Sequence, residues 1–67
     1  MQLKIETIKN GKVFKVIDNS RELRFDKVSS YIWEVSAKLN DIFYPSGKFC
    51  TSSKTRKSIY LDYRLFK

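Results

Sequence analysis

The chain has 67 residues, with 14 lysines and arginines against 7 aspartates and glutamates, no histidine and a single cysteine. That length suits one compact domain over residues 1–67, and 42% hydrophobic residues, 15% of the chain being aromatic, argue for a packed core rather than disorder. Cys50 has no partner for an internal disulfide, which fits a reducing, cytoplasmic setting, and the charged start Met1-Gln2-Leu3-Lys4-Ile5-Glu6 is unlike a secretion signal or membrane span.

Leu3 and Ile5 alternate with Lys4 and Glu6, as in a half-buried strand over residues 2–9, and Ile8 falls out of phase as at a bulge. Asn10-Gly11 reads as a type I′ hairpin turn, because both residues tolerate positive φ, and it sends a second strand back from Lys12 to Ile17. Asp18-Asn19-Ser20 is a further turn signal, after which Arg21 to Phe25 forms a third strand. Asp26 is placed as a helix N-cap, and the spacing of Val28, Ile32, Val35, Leu39, Ile42 and Phe43 predicts an amphipathic helix ending near Phe43, with Glu34 and Lys38 paired one turn apart. Pro45 and Ser46-Gly47 make a turn, Lys48 to Thr51 a short strand, and Ser52 to Lys57 a polar basic loop. Alternation of Ile59, Leu61, Tyr63 and Leu65 against Tyr60, Asp62, Arg64 and Phe66 predicts a final strand. The expected fold is therefore α+β in the order βββαββ: a three-stranded antiparallel meander, one amphipathic helix on one sheet face, and a C-terminal β-hairpin or strand.

The absence of histidine removes the side chain best suited to proton transfer near neutral pH, and one cysteine with scattered carboxylates makes no zinc site. The two glycines, Gly11 and Gly47, lie outside any phosphate-cradling loop. The composition thus points away from an enzyme and calls for no cofactor, metal or small-molecule substrate. Cys50 itself reads as a small core residue.

Positive charge is the main functional signal. No acid stands between Asp41 and Asp62, whereas Lys48, Lys54, Arg56 and Lys57 all do, and such a cluster gains affinity for phosphates by releasing counterions. If Leu3, Ile5, Phe14, Val16, Leu23 and Phe25 face the helix, Lys4, Lys15 and Arg24 emerge on the other sheet face, joined by Tyr60, Arg64 and Phe66 as cations and stacking rings. The leading expectation is a small basic nucleic-acid-binding protein, DNA- or RNA-binding, that grips the phosphate backbone with little sequence specificity. The alternative places Trp33, Ala37 and Tyr44 on the helix side away from the core stripe, where Trp33 is either covered by the C-terminal hairpin as a core residue or, with its neighbours, a protein interface or homodimer patch. In that reading the chain is a phage-type accessory protein, an inhibitor or modulator of a host protein or nucleic-acid-processing complex, anti-CRISPR-like or acting on transcription.

Overall fold

A computed structural model describes residues 3–66, and of Phe66 its backbone. Five strands, β1 (Leu3–Lys9), β2 (Val13–Asp18), β3 (Arg21–Lys27), β4 (Ile32–Leu39) and β5 (Ile42–Cys50), precede one helix, α1 (Arg56–Phe66). The strands form an antiparallel meander in the order β1-β2-β3-β4-β5, each joined to the next by a short connection.

The first three strands lie where alternation places them. Ile5 pairs with Val16, and Phe14 and Val16 pair with Phe25 and Leu23, so these side chains share one face. The register of β1 against β2 shifts between Thr7 and Lys9, leaving Ile8 in a bulge. The turn after β1 differs from the expected type I′: only Gly11 takes positive φ, at 75°, and the Lys12 N–H donates to the Lys9 carbonyl at 2.9 Å. Positive φ at the third position is the type II pattern, which needs a glycine there and asks nothing unusual of Asn10.

The second half overturns the expected order of elements. Residues 32–50 form a β-hairpin where a helix to Phe43 and a turn at Pro45-Ser46-Gly47 were expected before a strand from Lys48, and residues 56–66 form the helix where the end of a loop and a final strand were expected, which makes a five-stranded sheet with one C-terminal helix. Trp33, Val35 and Ala37 alternate strictly with Glu34, Ser36 and Lys38, and Trp33 and Val35 are buried while Ala37 packs against the core. The connection is Asn40-Asp41, with φ of 54° and 67° between paired Leu39 and Ile42, so the type I′ pattern expected at Asn10-Gly11 occurs here. Leu39 and Ile42, assigned to a helical core stripe by spacing, are exposed at this hairpin tip. Asp26 caps no helix; it lies in β3 and accepts a hydrogen bond from Arg24 Nε at 3.1 Å. Pro45 is tolerated because β5 is an edge strand, and the shift of register from Val35–Gly47 to Ser36–Pro45 leaves Ser46 as an extra residue.

α1 covers the apolar sheet face. Thr55 is its N-cap, with Thr55 Oγ1 accepting from the Ser58 N–H at 3.2 Å. Ile59, Tyr60 and Tyr63, at spacings of one and three, are buried, whereas Leu61 and Leu65 of the expected strand face are exposed. A strand would have turned Leu61 inward and Tyr60 outward. Phe25, fully buried, is the centre of the core: it stacks on Phe14 at 4.8 Å and meets Tyr63 edge-on at 5.6 Å, while Trp33 packs against Phe14 at 5.3 Å. Cys50, expected in the core, is exposed at the end of β5.

Candidate functional site

The opposite sheet face is a lattice of opposite charges. Lys4 meets Glu6 at 3.0 Å, Lys15 bridges Glu6 and Glu22 at 3.5 and 3.4 Å, and Lys38 bridges Glu22 and Asp41 at 3.5 and 3.8 Å. Arg24 pairs with Asp26 on the same face. Such exposed pairs add little to stability, about 0–1 kcal/mol each, but they neutralise the face. Lys4 and Lys15 hold the Glu6 carboxyl below its ordinary range, as the adjoining positive charges require. Lys4, Lys15 and Arg24 do emerge opposite the helix, yet each is matched by a carboxylate. Lys48 lies on this side too, opposite Glu34 in the β4–β5 register.

Positive charge without counter-charge gathers elsewhere. A groove of about 630 Å³ runs between the β1–β2 turn and the start of α1. Lys12, Lys27, Lys54, Arg56 and Lys57 line it, and none of the chain's seven acidic residues does. Its floor is apolar, formed by Phe14, Trp33 and Ile59, and the hydroxyl residues Thr7, Ser30, Ser53 and Thr55 stand among the cations. A low-dielectric floor beneath charges of one sign strengthens the field at the groove mouth. α1 also has no acidic residue in its first turn, so the positive end of its dipole adds to that field unopposed.

One cation is held through its side chain, and the backbone carrying two others is fixed. Arg56 Nη1 donates to Thr7 Oγ1 at 2.5 Å, tying the first turn of α1 to β1 across the groove. The Lys27 N–H donates to the Lys12 carbonyl at 2.8 Å, which sets these two lysines side by side on the opposite wall. The loop expected over residues 52–57 is confined to residues 51–55 and folded back by Asp62: its Oδ2 accepts from the hydroxyls of Thr51 and Ser53, the latter at 2.5 Å, and the Ser53 N–H donates to Thr51 Oγ1 at 3.0 Å. The Ser53 and Thr51 hydroxyls lower the Asp62 pKa, because both stabilise its charged form.

Of the residues expected to grip phosphate, Lys54, Arg56 and Lys57 thus come together, and Lys12 and Lys27 join them. The sequence reading missed the latter two, although the turn at Asn19-Ser20 carries the signal: with Asp18 opposite Arg21, the register continues through Val13–Asp26 to Lys12 beside Lys27. Tyr60 is no stacking surface, being 4% exposed with its hydroxyl donated to Asp18 Oδ2 at 2.6 Å. Burial, reinforced by that carboxylate, raises the Tyr60 pKa above its ordinary 10.0. Arg64 lies over the Tyr60 ring at 5.9 Å, two turns along α1 from the groove, and the Phe66 side chain is outside the described residues. The expected patch of Trp33, Ala37 and Tyr44 is divided: Trp33 is 5% exposed in the core, Ala37 packs against that core, and Tyr44 is 49% exposed on β5.

Among the described residues no group of three or more histidine, cysteine or acidic side chains is placed to hold a metal ion, and no helix is long and apolar enough to cross a membrane. Comparison with protein-family models, curated proteins and solved structures gives no match.

Proposed function

We propose that the protein binds nucleic acid through the groove between the β1–β2 turn and the start of α1, gripping backbone phosphates with little sequence specificity and catalysing no reaction. The observation that carries this reading is the collection of five cations in one concave site that no acidic residue lines. Lysine and arginine there gain affinity by releasing the counterions condensed on a polyanion, and the Thr7 and Ser30 hydroxyls can donate to phosphate oxygens, those of Ser53 and Thr55 being donated to Asp62 and Ser58. Contacts of this kind position a backbone and carry no base information. The opposite sheet face, where lysines already have acidic partners, contributes little.

Anisotropy titrations with labelled nucleic acid of mixed sequence test it. The triple charge reversal K54E/R56E/K57E is expected to abolish binding, while K4E/K15E on the opposite face leaves it largely intact. Equal loss in the two variants, both shown to be folded, contradicts the assignment. No binding by the native protein at low salt would favour a modulator that docks on another protein. The surface for that role is the β4–β5 hairpin tip, where Tyr44 stands with exposed Leu39 and Ile42.

A further inference from the structure

We infer that the groove takes the backbone of a paired duplex in preference to an unpaired strand, an inference that rests on the nucleic-acid reading above. Proteins that hold single strands without sequence preference combine a basic track with exposed aromatic faces on which successive bases stack. This groove has the track and lacks the faces. Its aromatic residues, Phe14 and Trp33, are 3% and 5% exposed and packed against each other. Tyr60 is enclosed as well. Tyr31, 61% exposed, follows Ser30 at the rim but does not line the groove.

The backbone that carries the cations, by contrast, is well anchored. Arg56 is also fixed through its guanidinium by Thr7, Lys54 and Lys57 flank a capped helix start, and Lys12, in the β1–β2 turn, is hydrogen-bonded through its carbonyl to Lys27 at the end of β3. A duplex offers phosphates at defined spacing and about one charge per 1.7 Å of axis with both strands counted, and it releases about 0.9 counterion per phosphate contact against about 0.7 for a single strand. Cations on an anchored backbone facing a stiff, denser array of charge gain on both counts, whereas a flexible strand must be ordered with no stacking to offset the cost.

The test is anisotropy of a labelled mixed-sequence duplex and of its separate strands, in DNA and in RNA form, at about 50 and 200 mM salt. The duplex is expected to bind at least about tenfold tighter than either strand, with a slope of log affinity against log salt no steeper than about −4.5 for five contacts. Tyr31→Ala is expected to leave affinity unchanged, and Lys27→Gln to lower duplex affinity and flatten the slope by about 0.9. Single strands bound as tightly as the duplex, or affinity lost in Tyr31→Ala, overturn the duplex assignment while leaving a phosphate groove in place. Absence of binding to every form overturns the function itself. The DNA and RNA arms identify which duplex is preferred.

Discussion

Lys12 and Lys27 are hydrogen-bonded neighbours, the Lys27 N–H donating to the Lys12 carbonyl at 2.8 Å, although 15 positions separate them along the chain. Both line the groove, together with Lys54, Arg56 and Lys57. Neutralising both, as K12Q/K27Q, is expected to flatten the salt dependence of nucleic-acid affinity by about 1.8, at about 0.9 per contact. K4Q/K15Q on the ion-paired face is expected to leave the slope unchanged. Affinity titrations across a salt series check both.

The Asp62 clamp predicts an acid sensitivity of known sign. The Asp62 pKa is lower in the folded protein than its ordinary 3.8, so the clamp's contribution is complete above that value and is lost as pH falls through the lower folded value. Asp62→Asn is expected to melt at lower temperature than the native protein near neutral pH. The gap should narrow below pH 3.8, and thermal melts of the pair across acid pH measure it. The comparison within a pair cancels the similar contribution of Glu6.

Tyr60 behaves in the opposite sense. Its pKa is raised in the folded state, so its contribution is present below the ordinary value of 10.0 and declines as pH rises past it toward the folded value. Tyr60→Phe removes the hydrogen bond to Asp18 and keeps the packing against Phe25. A loss of about 1–2 kcal/mol is expected at neutral pH, roughly a 5–10 °C drop in Tm, with native and variant converging at strongly alkaline pH.

The β4–β5 turn offers a stabilising substitution. Asp41 carries a φ of 67° and Asn40 one of 54°. Asp41→Gly creates the Asn-Gly pair best suited to this turn and gives up only the Lys38 contact at 3.8 Å, in which Asp41 is almost wholly exposed. A gain of about 0.5 kcal/mol, near 3 °C in Tm, is expected. In a helix the same glycine would cost about 1 kcal/mol, so the sign of the change separates the two folds.

Trp33 is a core residue, and its emission should be blue-shifted and shielded from quenchers in the monomer. Trp33→Ala is expected to cost about 3–5 kcal/mol, much of the stability a chain of this size has, and to leave the far-ultraviolet spectrum of an unfolded protein. A folded variant would place the indole at the surface.

The first three strands were legible because Leu3 and Ile5, Phe14 and Val16, and Leu23 and Phe25 alternate cleanly between turn residues. Residues 28–43 were not, because Val35 and Leu39 satisfy a helical period as well as a two-residue one. What separates the two is Asn40-Asp41, a pair tolerant of positive φ that looks unremarkable inside a helical spacing. Residues 58–66 mirror this case: Ile59 and Tyr63 belong to both periods, and only the packing of α1 on the apolar sheet face makes Tyr60 rather than Leu61 the third buried side chain. The basic stretch Lys54–Lys57 is visible in the sequence directly. Its partners Lys12 and Lys27 follow only once strands β2 and β3 are paired in register, and the neutralising role of Glu6, Glu22 and Asp26 follows only from the same pairing.

The most direct measurement of the central claim is a titration of isotope-labelled protein with a short mixed-sequence duplex, followed by backbone amide NMR shifts. The largest changes are expected at Lys12, Lys27 and residues 54–57, with Lys4, Lys15, Arg24 and Lys48 little affected. Shifts centred on the ion-paired sheet face, or on Leu39–Tyr44 at the hairpin tip, would contradict it.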